Sequence, residues 1–306
     1  MDKLLAMKNF VRVVEAGSFS VVAKEANTSQ SAISKQVAAL ERDLGARLLT
    51  RTTRSLALTE EGARYFEQAR RLVAEIAEAE SGVRAGAQEL TGWLRVATEG
   101  VFGRLKLMPL VQSFLAEHRA VRIDLRLNDA FVDLVEQGID IAVRLGELTD
   151  SSLVARRIGT APRWLIAHRS YLRRLPKATK PPRTPADLTS HNCIVYTELP
   201  WRNAWTLTAG PGASEPLGTT KAVRVSGNLQ TNSSEVIRAS VLAGMGIGFS
   251  PTWLFEQELE RGEVVHLLPD WEAAAIPIQL VSPAERRQSA KVKAFAEHVA
   301  KAIAGA

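Results

Sequence analysis

Six polar residues near the N-terminus fall where their side chains could read or grip a nucleic acid. Ser29 is a good N-cap, which puts Gln30 and Ser31 at the leading end of a helix and Ser34 and Lys35 one turn on. A glutamine amide can pair with the N6 and N7 edge of adenine, and a serine hydroxyl can meet either kind of base edge. Lys35 can reach a base or a phosphate. Arg51 and Arg54 sit in a short basic run between leucines, suited to backbone oxygens or a narrow minor groove.

A second set lies further on. Thr98, Glu99 and Gly100 follow a β-rich run and lead through Phe102 into a helical stretch. Asn232 and Ser233 open another, within Gln-Thr-Asn-Ser-Ser-Glu at 230–235. Free N–H groups and small hydroxyls at a helix start favour an anion or another polar ligand. Signatures of catalysis do not appear. Gly244-Met-Gly-Ile-Gly248 leaves a helix and enters a strand, the reverse of a dinucleotide loop. No Gly-x-Ser-x-Gly elbow occurs, and the five histidines are scattered without a zinc-type pair. Cys193, in the apolar run Cys-Ile-Val-Tyr, reads as a buried inert thiol. The expectation is a protein without cofactor or metal, and not an enzyme.

The elements that must position these residues follow from periodicity. Leu4, Leu5, Phe10, Val13 and Val14 recur at helical spacing up to Gly17, and Ser20 is placed to cap a second helix through Ala26. Asn27 and Thr28 make a tight turn into the Ser29 helix, whose Ile33, Val37, Leu40 and Leu44 share a face and whose C-cap is Gly45. Two helices so joined form a helix-turn-helix. The run at 48–58 reads as a short hairpin or wing. Thr59 then caps a long helix that runs to about 87, with Glu60 and Glu61 in its first turn. In it Leu72, Ile76, Ala79 and Val83 form a narrow seam that needs a partner helix.

From Gly92 the texture changes. β-rich runs at 93–97, 122–127, 139–144, 164–167, 193–196, 223–225, 246–249 and 276–281 alternate with helical ones at 105–117, 129–137, 233–243, 251–261 and 290–304. Such alternation implies α/β architecture with largely parallel sheets, and the chain is long enough for two lobes. The expected plan is a winged helix-turn-helix over 1–58, a linker helix over 59–88 and a two-lobed domain over 89–306. Its first lobe takes about 89–160 and 269–306, its second about 161–268.

Composition agrees with this plan. The chain has 306 residues, 46% apolar and 24% charged, with a net charge of +6. Residues 1–58 hold nine Lys/Arg against five Asp/Glu, so two-thirds of the excess sits in the first fifth. A basic head on a near-neutral body points to a nucleic-acid partner. A single cysteine excludes an internal disulfide framework and fits a reducing compartment. Neither a signal-peptide core nor a bilayer-length apolar run is present, so a cytoplasmic, membrane-free protein is expected.

The segment from Phe10 through Ser20, then Ala23, then Ser29-Gln-Ser-Ala-Ile-Ser-Lys-Gln-Val-Ala-Ala-Leu-Glu41, resembles the DNA-binding head of LysR-type transcriptional regulators. So does Leu44 through Gly62. Phe131 through Gly146 and Ala243-Gly-Met-Gly-Ile-Gly248 resemble the family's effector domain, which is similar to periplasmic binding proteins. The resemblance covers the whole chain. It implies a sequence-specific regulator that binds double-stranded operator DNA as a homodimer or homotetramer, with RNA polymerase as a further partner. It also implies a small-molecule effector in a cleft between two lobes. There the two helix starts would meet Arg144, Thr197, Trp201 and Phe249. Glu99, if it points into that cleft, would take the anion position itself and be offset by Arg144. Trp201, Phe102 and Phe249 would then form an apolar wall for a neutral, zwitterionic or hydrogen-bond-donating effector. The rival readings, a solute-binding protein or an enzyme with a regulatory head, have no leader peptide and no nucleophile to support them.

Overall fold

The computed structural model describes residues 2–51, 56–83, 90–130, 133–146, 153–198 and 202–304; for residues 51, 75 and 77–83 it describes the backbone alone. Two compact units result, Met1–Gly92 and Trp93–Ala306.

The first unit opens with α1 (Lys3–Ala16), α2 (Phe19–Glu25) and α3 (Gln30–Leu44). Gly17 and Gly45 end α1 and α3 in the left-handed region, at φ 63° and 67°, where a side chain would be strained. Ser18, not Ser20, caps α2, its hydroxyl accepting from the Val21 N–H. That places the start of α2 two residues, about half a turn, earlier than expected, because Phe19 turns into the core. The strands β1 (Leu49–Arg51) and β2 (Leu56–Leu58) pair antiparallel as a hairpin, with Arg51 opposite Leu56. Then α4 runs from Glu60 to Val83, roughly 36 Å at 1.5 Å per residue. Phe10, Val13, Val22, Ile33, Val37, Leu40, Leu48 and Ala69 form one buried cluster, so all four helices share a core. Leu72 of the expected seam is 47% exposed, and the side chains of Ala79 and Val83 lie outside the described residues.

Two side chains and one glycine fix the junction of hairpin and long helix. Glu41 Oε1 accepts from the Leu48 and Leu49 N–H groups at 2.8 and 3.0 Å. Thr59 Oγ1 accepts from the Gly62 N–H at 2.8 Å and donates to the Arg47 carbonyl. The first turn of α4 is thereby pressed onto Leu48, and a Cβ at Gly62 would stand 1.9 Å from the Leu48 carbonyl oxygen.

The second unit is built on two five-stranded sheets. Its first lobe contains β3 (Gly92–Thr98), α5 (Gly100–Phe102), a π-helical turn at Gly103–Leu107, α6 (Met108–Glu117), β4 (Val121–Leu127), β5 (Ile141–Leu145) and β6 (Leu153–Ala161). The chain then crosses through Pro162 to β7 (Arg163–His168), α7 (Arg169–Arg173), β8 (Cys193–Tyr196), β9 (Ala204–Ala209), β10 (Thr220–Arg224), β11 (Gln230–Thr231), α8 (Ser234–Leu242) and β12 (Ile247–Pro251). It goes on through α9 (Glu256–Glu260), β13 (Val264–Leu267) and β14 (Trp271–Glu272). It returns as β15 (Ile276–Pro283) and ends in α10 (Ala290–Ala304). The first sheet has the order β4-β3-β5-β15-β6, the second β11-β8-β12-β7-β13, and β10-β9-β14 form a third, smaller sheet.

Three expectations change here. The sheets are mixed rather than largely parallel: β3 runs parallel to β5 and β8 to β12, but β15 is antiparallel to β5 and β6, and β7 to β12 and β13. Strands that arrive directly from the other lobe need no crossover helix, so they are free to pair antiparallel. The expected helix at 129–137 is instead a set of turns in its described part, because Asp133 Oδ1 accepts from the Val135 and Glu136 N–H groups. The expected helix at 251–261 is a 3-10 turn over Thr252–Phe255 followed by the short α9. The return crossing falls between Glu272 and Ile276, since Trp271 pairs with Ala209 of the second lobe.

Candidate nucleic-acid face and ligand cleft

In the first unit the candidate side chains ride on α3. The Ser29 hydroxyl accepts from the Ala32 N–H at 3.1 Å and starts the helix at Gln30. Burial of Ile33, Val37 and Leu40 fixes its rotation, which leaves Gln30, Ser31 and Lys35 exposed and Ser34 half-buried. The Ser20 hydroxyl donates to Gln30 Oε1 at 3.0 Å, so Ser20 steadies the leading glutamine. Behind this face the unit is braced by Arg12, which donates to both Glu25 oxygens at 2.8 and 2.7 Å. Arg51 ends β1, with its side chain outside the described residues, as is all of Arg54.

In the second unit a cavity of about 70 Å³ lies between the lobes. Glu99, Asp129 and Leu145 line it from the first lobe, with Ile276 at the crossing. Arg163, Tyr196, Ser234, Phe249, Ser250 and Trp253 line it from the second. The Glu99 carboxyl accepts from the Leu145 N–H at 3.1 Å, and burial pushes its pKa up to about 7, against the pull of that N–H and of Arg144. Arg163 sits at the crossing itself. Its Nε donates to the Ala274 carbonyl at 3.0 Å and its guanidinium lies 4.5 Å over the Phe249 ring. Burial lowers its pKa to about 10, which leaves it a cation at neutral pH. The Tyr196 hydroxyl is pushed upward, first by burial and then by the charges of Asp129, Glu99 and Glu198.

Sequence-predicted residues are distributed unevenly around this cavity. Glu99 and Phe249 are in its wall. Gly100 is beside it, its N–H donating to Asp129 Oδ1 at 2.7 Å. Phe102 is in the core instead, 2% exposed and edge-on to Trp253 at 5.3 Å. Thr98 is 1% exposed, and its hydroxyl has no partner among the described residues. Arg144 is 3% exposed and donates to the Ala130 carbonyl at 3.3 Å, so it faces the 129–130 turn. The Thr197 N–H donates to the Thr231 carbonyl, Asn232 is exposed, and Ser233 occupies the cap position of α8 without a side-chain capping bond. Trp201 lies outside the described residues.

Asp129 holds the place that the sequence reading gave to Glu99. Its Oδ1 takes the Gly100 N–H, and its Oδ2 takes the Ser234 N–H and hydroxyl at 3.0 and 3.2 Å. One carboxylate thus bridges the helix starts of both lobes. Nothing in the local pattern marks it, because its partners are 29 and 105 residues away. Arg163 and Trp253 escaped for the same reason. Cys193 is fully buried, and burial pushes its thiol up to about 12, in keeping with an unreactive group.

A helix-turn-helix with a hairpin wing, joined to a two-lobed unit that encloses a small cavity, defines a ligand-responsive DNA-binding protein. The comparisons place it more narrowly. Residues 4–63 match the model described as "Bacterial regulatory helix-turn-helix protein, lysR family", and residues 87–304 match "LysR substrate binding domain". The Escherichia coli HTH-type transcriptional activator AaeR is 33% identical over 91% of this chain and 86% of its own. An uncharacterized HTH-type transcriptional regulator of Haemophilus influenzae is 33% identical over 95% and 98%. The solved structure of CrgA, a LysR-type transcriptional regulator from Neisseria meningitidis, superposes with a TM-score of 0.62 at 30% identity, over 97% of this chain and 98% of that one. The chain belongs to the LysR family of transcriptional regulators. No described helix is long and apolar enough to cross a membrane.

Proposed function

We propose that the leading end of α3 reads operator DNA through Gln30, Ser31, Ser34 and Lys35, with Arg51 and Arg54 on the wing gripping phosphates. A small effector in the inter-lobe cavity biases the arrangement of a homo-oligomer that pairs through α4, and it acts through a difference in affinity between two arrangements. The observation that carries this reading is the polar end of α3, exposed on a helix whose other face is locked into the core. The exposed Leu72 on α4 supports pairing through that helix. The chain works without catalysis, in the cytoplasm where operator DNA lies, and RNA polymerase is its partner at the promoter.

The test is binding of the full chain to DNA flanking its own gene, titrated against salt. Ser34→Ala lowers the ratio of specific to non-specific affinity, whereas Lys35→Ala weakens both alike and reduces the salt slope by about one. Ile76→Asp puts a charge in the α4 seam and dissociates the oligomer in sedimentation. An unchanged specificity ratio in Ser34→Ala overturns the reading of α3.

A further inference from the structure

The polar groups of the cavity raise one question: what occupies the point where two helix starts converge. In an open cleft the Gly100 and Ser234 N–H groups would be unsatisfied donors, suited to a ligand carboxylate. Here Asp129 satisfies both, from a turn of the first lobe, with bonds of 2.7 and 3.0 Å and a third from the Ser234 hydroxyl at 3.2 Å. Glu99 and Glu198 line the same cavity and add two more acidic groups to it. Trp253, which also lines the cavity, is 9% exposed, and its Nε1–H has no partner among the described residues, so it requires an acceptor on whatever fills the space.

We propose that Asp129 is a tethered anion that determines effector specificity, filling the anion position of the cleft and excluding acids from it. The effector of this chain is therefore a small molecule without a carboxylate at that end, carrying a carbonyl or hydroxyl oxygen toward Trp253. This rests on the reading of the cavity as the effector site. Three consequences follow from one carboxylate. The lobes are held together without a ligand, because one side chain bonds to both. An incoming acid meets a charge of its own sign at the point where the Gly100 and Ser234 N–H groups would otherwise favour it. Removal of Asp129 exposes two N–H donors and a hydroxyl at a volume matched to a carboxylate.

The last consequence gives the test. In the full chain, Asp129→Ala opens a hole the size of formate. Sodium formate raises the melting temperature of that variant by several degrees over the same concentration of sodium chloride, and binds it at least ~10-fold more tightly than wild type. Asp129→Asn fills the hole and shows no formate response, as does wild type. Equal formate effects on all three proteins, or none on Asp129→Ala, overturn the proposal. Should Asp129→Ala fail to fold alone, the yield of refolded protein in formate against chloride is the readout: a higher yield in formate supports the tether, and equal yields overturn it. The effector reading fails separately. Formate rescue together with operator binding that no cleft substitution alters would leave Asp129 as a tether and remove the effector site. No rescue, with operator binding still altered by Phe249→Ala, would do the reverse.

Discussion

The DNA-facing end of α3 and the inter-lobe cavity are built on opposite plans. The first draws four side chains from a stretch of six residues, and its exposed groups point away from the protein. The second draws on residues 99, 129, 163, 196, 249 and 253, and its polar groups largely satisfy one another. A surface that reads DNA needs little more than a rigid helix at the right rotation. A cavity that senses a small molecule needs a charge balance across two lobes, and each of its members is set by the others. Substitutions should separate the two.

The largest effect is expected at Gly62. A methyl there would stand 1.9 Å from the Leu48 carbonyl, a backbone atom that cannot yield without moving the hairpin. Gly62→Ala should cost about 3 kcal/mol or more and abolish operator binding, while leaving the unit at 93–306 intact. Calorimetry of the full chain should show the damage confined to one transition. A uniform loss across both transitions would mean that the two plans are not independent.

Glu99 tests the cavity side. Its pKa lies near 4.5 when unfolded and about 7 when folded, raised by burial. The folded state therefore holds a proton that the unfolded state has released across that window. Stability from this group is complete below pH 4.5 and lost as pH rises through 7. Each pKa unit is worth ~1.4 kcal/mol, so the loss is about 3–4 kcal/mol at most. Glu99→Gln keeps an acceptor for the Leu145 N–H and removes the charge. Its melting temperature should lie above that of wild type at pH 8 and converge with it near pH 4. Parallel pH profiles would show that Glu99 is solvated rather than enclosed.

The same contrast explains what the sequence made legible. Helix limits in the first unit depend on residues within one turn: Ser29, Gly45 and Thr59 each do what their local spacing predicts. Even the misreading of Ser20 for Ser18 is a slip of half a turn. In the second unit local rules compete with partners far along the chain. Asp133 diverts its segment into turns that a periodic pattern cannot reveal. The strand β6, absent from the sequence reading, has Ala155, Arg156 and Arg157 exposed on an edge and so lacks an apolar signature. Asp129 is one more acidic residue in a polar turn until the fold brings Gly100 and Ser234 to it.

Gln30 measures the α3 side more finely. Its amide oxygen is held by Ser20, and a bidentate contact to a base is worth about 1–3 kcal/mol. Gln30→Ala should reduce specific affinity by that amount, with non-specific affinity and the response to ligand unchanged. Ser20→Ala should give a smaller loss of the same kind, about 0.5–1 kcal/mol. Competition binding with operator and random DNA separates the two terms.

The smallest effect is expected where the lobes meet at the surface. Arg104 pairs with Glu235 at 3.0 Å and Lys106 with Glu256 at 2.5 Å, all four side chains at least a third exposed. These pairs bridge the same lobes as Asp129, yet water screens them and long side chains must be ordered to make them. Each should contribute about 0.2–1 kcal/mol, and less as salt is raised. A double-mutant cycle on Arg104→Ala and Glu235→Ala, read by thermal unfolding at low and high ionic strength, gives the coupling directly. If it exceeds the effect of Asp129→Asn, the lobes are held at the rim rather than at the cavity. If it is small and vanishes with salt while the loss in Asp129→Asn persists, the enclosed carboxylate is the link. Direction of charge would then matter less than burial in deciding which bridge the two lobes feel.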